Sequence, residues 1–170
     1  MVSAAIGQAA ADREVAFDAL VGPLIDPAFK LAYVFLRNAQ EAEDAVQEAT
    51  LKAWQKLDGL RDESAARSWF FTIVANQCRS MRRARWWSVM RMDATPSQPE
   101  ADRRTDERLD LTREMSRLAV TDRAALFLFF YLDLPLAEIA RVLKISPQAA
   151  KSRVHRAVTK LRLGMAEVAE

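Results

Sequence analysis

Cysteine, histidine, glycine and proline are all scarce in this 170-residue chain, and each scarcity removes a class of protein. The single cysteine, Cys78, cannot form an internal disulfide, and the single histidine, His155, cannot assemble a Cys/His metal cluster. Neither has a partner constellation in the sequence for hydrolytic or redox catalysis, so the chain reads as no enzyme, with no metal and no cofactor. Four glycines and six prolines are too few for the many tight corners of an all-β sandwich or barrel of this length. Long apolar runs are missing as well: the longest, Ala124 to Leu132, has nine residues, against the ~18–20 needed to cross a bilayer. The N-terminal MVSAAIGQAAAD lacks both a basic start and a sustained apolar segment, which excludes a secretory signal and leaves a tail or frayed helix. A cytoplasmic chain is expected.

What is present is a folding composition, 51% apolar and 28% charged, in a length suited to one or two small domains. The net charge of +2 conceals alternating blocks. Residues 1–80 hold eight basic and eleven acidic side chains and residues 105–139 four and seven. Residues 81–104 hold six and three, and residues 140–170 seven and two. Two basic patches result, the electrostatic footprint of a polyanion partner.

Helical periodicity organises the chain. Asp26-Pro27 offers an N-cap and a first-turn proline ahead of Phe29, Leu31, Ala32 and Leu36. A second helix is predicted from Ala39 to Leu57, with Val46, Ala49, Ala53, Trp54 and Leu57 inward and Asp58-Gly59 as its stop. Ser64 is expected to cap a third segment carrying Trp69, Phe70, Ile73 and Val74. That segment leads through a turn at Asn76-Gln77 into the basic stretch Arg79 to Arg85. Residues 93–102, with two prolines and no period, read as a flexible linker. Beyond it, Leu109 to Leu118 and Thr121 to Leu132 read as helices, the latter capped by Thr121-Asp122. Pro135 to Leu143, the turn Lys144-Ile145-Ser146 and a helix restarting at Pro147 form a helix-turn-helix, with Ser146 as N-cap and Ala150, Val154, Ala157 and Leu161 buried. The outer face of its second helix carries Gln148, Lys151, Ser152, His155, Arg156 and Lys160, donors suited to phosphates and base edges.

The expected fold is therefore all-α. A tail at 1–14 precedes a helical bundle at 15–90. A linker at 91–107 leads to a four-helix domain with the helix-turn-helix at 108–165, and 166–170 form a second tail.

Taken together, the two halves resemble the extracytoplasmic-function group of the sigma-70 family of bacterial transcription initiation subunits, over about Phe17 to Leu163. Glu41-Ala-Glu-Asp-Ala-Val-Gln-Glu-Ala-Thr-Leu-Lys-Ala-Trp54 resembles the family's core-binding motif. Ala66-Arg-Ser-Trp-Phe-Phe-Thr-Ile-Val-Ala-Asn76 resembles its promoter-melting segment, and Ala137 to Ala157 its upstream-element motif. The resemblance implies core RNA polymerase and promoter DNA as partners, with an anti-sigma factor as a third in some members. Asp44, Gln47, Glu48 and Leu51, which share a helix face, would dock the polymerase. Trp69, Phe70, Asn76, Gln77, Arg79, Arg82 and Arg83 would hold the opened downstream element. Gln148, Lys151, Ser152, His155 and Arg156 would read the upstream one.

Three departures stand out. Lys144 occupies a turn position where the family usually has glycine, and Asp133-Leu134-Pro135 replaces the usual glycine before the motif. Leu126 to Leu132 is also unusually apolar. That apolar stretch and Trp86-Trp87 are expected to be covered by the other domain or by a partner. The competing reading is a conventional helix-turn-helix repressor or activator with a sensing or dimerising bundle.

Overall fold

The computed structural model describes the backbone of residues 2–92 and 113–168 and the side chains of 11–87 and 113–165; the linker lies outside the described residues. Among the described residues every regular element is helical: α1 (Val2–Val21), α2 (Ile25–Leu36), α3 (Ala39–Lys56), α4 (Ala66–Met92), a helical turn at 113–117, α5 (Val120–Phe130), α6 (Leu136–Leu143) and α7 (Pro147–Val168), with short 3₁₀ turns between some of them. The expected all-α class and its two helical units are thus present. The first residues are helical from Val2.

Helix ends follow local chemistry. Arg37 takes a left-handed conformation (φ 58°) to stop α2, and Asn38 caps α3 by accepting from the Glu41 amide at 2.8 Å. Ser146 Oγ accepts from the Ala149 amide at 3.1 Å, with Pro147 the first residue of α7, as the sequence indicates. Lys144 supplies the left-handed stop of α6 (φ 56°), the conformation glycine would adopt at least cost.

Several expected caps sit elsewhere. Asp26 lies inside the first turn of α2, where its charge faces the helix's positive end. Asp62 rather than Ser64 caps the turn before α4, accepting from the Ser64 amide and hydroxyl, which holds its carboxyl below the usual range. Ala119 precedes α5, so Thr121 and Asp122 are first-turn residues and cap nothing. Asn76-Gln77 is no turn either: α4 runs unbroken from Ala66 to Met92.

The core begins where α2, α3 and α4 pack through Leu31, Phe35, Ala49, Phe70, Phe71 and Val74. Burial of each leucine, valine or phenylalanine among them stabilises by about 1.5–3 kcal/mol. This core does not stop at the linker. α5 packs on α2, α6 packs on α4, and Leu128, Leu132, Leu134, Ile139 and Val142 belong to the same buried cluster as Phe70. The apolar stretch after Leu126 is therefore partly covered by the other domain, as expected: Leu128 and Leu132 are buried, while Phe130 and Tyr131 remain exposed. Trp86 and Trp87 are both more than half exposed, so the other domain does not cover them.

One segment, Ala11–Leu36, has the length and mean apolar character of a bilayer-crossing helix, which a count of uninterrupted apolar residues misses. A 3₁₀ turn containing Pro23 breaks it, and Ala28, Leu31, Ala32, Phe35 and Leu36 face the protein core. That is the anatomy of a core element.

Candidate functional site

Three strips of side chains carry the candidate chemistry. The first lies on α3. Ala42, Ala45, Val46, Ala49 and Ala53 turn inward and leave Asp44, Gln47 and Leu51 exposed on the opposite side. Glu48 joins them, paired with Lys52 at 3.2 Å across one helical turn. All four expected docking residues thus share one accessible face. Beside them opens an apolar groove of about 460 Å³ between α1 and α3, lined by Phe17, Ile25, Val46, Leu51 and Trp54. Trp54 is fixed there by the edge of Phe17 (centroids 5.2 Å apart) and by the Arg13 guanidinium, 4.7 Å from its ring. Arg13 also donates to the Trp54 carbonyl at 3.1 Å. The contribution of α1 to this face escaped the sequence reading, because nothing in the spacing of Arg13 and Phe17 points to Trp54.

The second strip lies on α4. Trp69, Thr72, Asn76, Arg79 and Arg83 recur at helical spacing along one side. Trp69 walls a cavity of about 400 Å³ together with Leu60, Arg61, Asp62, Thr72 and Arg141. Phe70 departs from expectation: it has no exposed surface and belongs to the core, so its ring offers no face to a base. Asn76 Oδ1 accepts from Arg79 at 2.7 Å, and Gln77 Oε1 accepts from Lys52 of α3 at 2.6 Å, so both amide oxygens are engaged while α4 stays continuous. Burial lowers the Arg79 and Arg82 guanidinium pKa values, Arg82 also feeling the charge of Arg85. Cys78, just before them, is fully buried and its thiol is pushed up to about 12, chiefly by desolvation. An apolar, protonated thiol is inert.

The third strip is the first half of α7, where Gln148, Lys151, Ser152, His155 and Arg156 are all exposed on one face. A carboxylate invisible to sequence reasoning anchors it from behind. Asp122, 2% exposed, takes Arg153 at 3.1 Å on one oxygen and Arg156 at 3.3 Å on the other, while Thr121 accepts from Arg153 at 2.6 Å. Asp122 therefore ties α7 to α5, and it orients the guanidinium of Arg156, itself half exposed.

Comparison with known proteins places the two helical units in a common plan. Residues 20–88 match the family model of Sigma-70 region 2, and residues 108–161 that of Sigma-70 region 4. The chain is 35% identical over 138 residues to the ECF RNA polymerase sigma factor SigL of Mycobacterium tuberculosis, covering 77% of this chain and 78% of that protein. It belongs to the extracytoplasmic-function sigma factors. SigM of the same organism is 32% identical over 155 residues, covering 89% of this chain and 78% of the relative. Among solved structures, CnrH in complex with the cytosolic domain of CnrY superposes with a TM-score of 0.67 at 25% identity over 95% of this chain and 94% of that one. RpoE from Bartonella quintana, in complex with NepR, shares the fold with a TM-score of 0.76 at 24% identity, covering 88% and 96%.

A sigma factor of this group binds core RNA polymerase and promoter DNA and directs where transcription starts. In this sigma factor α3 and α4 fall in region 2 and the helix-turn-helix in region 4.

Proposed function

We propose that the three strips divide the labour of initiation in the cytoplasm, with no catalysis by the chain itself. The α3 face docks core polymerase: Asp44 and Glu48 meet basic side chains on the enzyme, and Leu51 supplies the desolvated contact that carries most of the energy in such patches. The start of α7 enters the major groove of the upstream element. There Lys151 and Arg156 suit guanine edges or phosphates, and Gln148 suits adenine. The α4 strip holds the opened downstream element. Trp69 and the cavity beside it accept an unstacked base, Asn76 bonds base edges, and Arg79 and Arg83 hold the backbone, with Gln77 and Arg82 flanking the strip rather than lying on it. Phe70, buried in the core, is left out of the contact set.

The observation that carries this reading is the presence, on one chain, of both family regions with their polar strips on separate helix faces. A single helix-turn-helix module buries only ~600–1,000 Å² on DNA, so each site alone is weak. Held at fixed spacing by polymerase, the two sites act at high effective concentration. A conventional repressor would instead bind a palindromic duplex tightly by itself. Co-purification with core polymerase followed by run-off transcription tests the assignment. Promoter-specific transcripts that require both polymerase and this chain are expected. Tight duplex binding without polymerase, and no transcription with it, would overturn it.

A further inference from the structure

Arginines gather at the seam where α2 ends, α3 begins and α5 starts. Arg123, in the first turn of α5 and 4% exposed, donates from Nε to the Val34 carbonyl of α2 at 2.9 Å, and its Nη1 reaches the Met115 and Leu118 carbonyls at 3.3 and 3.5 Å. Arg37, three residues after Val34, stops α2 in the left-handed conformation, and its Nε is buried with no acceptor. The charges of Arg37 and of Arg82 on α4 both bear on Arg123, whose pKa is pushed down to about 10, chiefly by desolvation. Arg85, one turn further along α4, bears in turn on Arg82 and pairs with Glu41 at the start of α3 at 3.1 Å. Further back on α4, Arg79 is turned to another carbonyl, that of Val142, at 3.1 Å.

Carboxylates do not balance this group. Glu41 is taken by Arg85, and Asp122, the neighbour of Arg123 in sequence, is taken by Arg153 and Arg156. Among the described residues no acid pairs with Arg37, Arg82 or Arg123. Cations withdrawn from water onto neutral carbonyls, and set against one another, cost free energy that an ion of opposite charge recovers. Clustered groups whose pKa values are displaced in this way mark binding sites more often than chance.

We infer that Arg37, Arg82 and Arg123 form a binding site for a phosphate oxyanion. Arg37 and Arg82 are half-buried and supply the hydrogen bonds, the orphaned Arg37 Nε–H among them. Arg123 has Nε and Nη1 committed to carbonyls and contributes chiefly its charge from behind. A guanidinium presents a planar fork that matches two oxygens of a phosphate, and such bonds are charge-assisted on both sides. A multiply charged phosphate with several acceptor oxygens answers three converging cations better than a carboxylate with one charge and two oxygens. The site goes beyond the DNA contacts proposed above, since Arg37 and Arg123 lie outside all three strips. A free phosphate or pyrophosphate ion and a phosphate of the DNA backbone offer the same oxygens, and the experiment separates the two. Arg37 belongs to the region 2 unit and Arg123 to the region 4 unit, so a bound anion relieves repulsion between them and raises the stability of the whole chain.

The test titrates the full chain with sodium pyrophosphate by calorimetry, at an ionic strength held constant with sodium chloride so that screening does not change. Arg37→Asn removes the guanidinium with a residue that tolerates left-handed backbone, and Arg82→Gln is a second variant. Arg162→Ala, an exposed arginine near the end of α7, is the control for net charge. Thermal melting confirms that each folds. The unaltered chain should bind pyrophosphate at one saturable site and melt at a higher temperature with it. Arg37→Asn and Arg82→Gln should each weaken that binding by about tenfold, the loss of one charge-assisted hydrogen bond, and Arg162→Ala should leave it unchanged. A labelled duplex oligonucleotide is titrated in parallel. Unchanged oligonucleotide affinity in the two variants assigns the site to a free ion. Weakened affinity, with displacement of the oligonucleotide by pyrophosphate, assigns it to the DNA backbone. No pyrophosphate binding, binding that folded Arg37→Asn and Arg82→Gln retain in full, an equal loss in Arg162→Ala, or a melting shift reproduced by sodium chloride alone would each overturn the inference.

Discussion

Asp122→Ala removes the carboxylate that anchors the recognition helix, and its cost can be worked from the pairs it makes. Asp122 is 2% exposed and holds Arg153 and Arg156 at 3.1 and 3.3 Å. Breaking a fully buried ion pair costs about 3–5 kcal/mol, mainly because a charge is left buried and unpaired. Here the two arginines are 27% and 51% exposed and can turn to water, so solvent screening reduces the expected loss to about 2–3 kcal/mol. For a chain of this size that lowers Tm by roughly 5–10 °C. Asp122→Asn keeps the shape and a hydrogen bond to Arg153, and should lose about half as much. The assay is chemical and thermal denaturation followed by circular dichroism, with upstream-element binding within the polymerase complex as a second readout. Arg156 loses its orientation, so binding should weaken in both variants even where folding is complete. A change below about 0.5 kcal/mol, typical of an uninvolved surface residue, would refute the claim that Asp122 fastens α7 to α5.

Three further outcomes follow from the same coordinates. Asp44→Arg with Glu48→Lys should abolish co-purification with core polymerase while shifting stability by only about 0.5 kcal/mol, since Asp44 is exposed and the Glu48–Lys52 pair is a partly exposed one; undiminished co-purification would refute the docking face. Lys144→Gly should stabilise by about 0.5–1 kcal/mol, because glycine adopts the left-handed conformation at less cost than lysine and offsets only part of that gain through its freer unfolded state; denaturant titration reads it. The Cys78 thiol, held up to about 12 against an ordinary 9.0, should resist thiol reagents in the native chain and react once it unfolds. Because the folded state favours the protonated thiol, its contribution to stability is complete below the ordinary value and is lost as pH rises from 9.0 toward 12.

The parts of this molecule that were legible in the sequence are those decided by neighbours within a few residues. Ser146 and Pro147 announce the start of α7 because an N-cap and a first-turn proline need nothing from the rest of the chain. Asp44, Gln47, Glu48 and Leu51 were placed on one face by spacing alone. What failed was decided at long range. Gln77 looks like part of a helix junction until Lys52, 25 residues away, is seen to donate to its amide oxygen. Trp69 and Phe70 are adjacent aromatics in the sequence, and only the packing of α4 shows which is core and which borders a cavity. Thr121-Asp122 has the chemistry of a cap, but Asp122 is drawn instead to two arginines more than thirty residues ahead. The domain junction was foreshadowed by the surplus apolar surface after Leu126. Its arginine bonds to backbone carbonyls, by contrast, leave no trace in residue type.

The division of labour between the α4 strip and α7 is tested most directly by transcription with core polymerase from matched duplex and pre-melted promoters. Asn76→Ala should fail on the duplex and recover at least partly on the pre-melted template, because its defect lies in holding opened DNA. Lys151→Ala and Arg156→Ala should be impaired on both, because opening the downstream element does not restore recognition of the upstream one. Equal rescue of all three variants by pre-melting, or none for Asn76→Ala, would contradict the account.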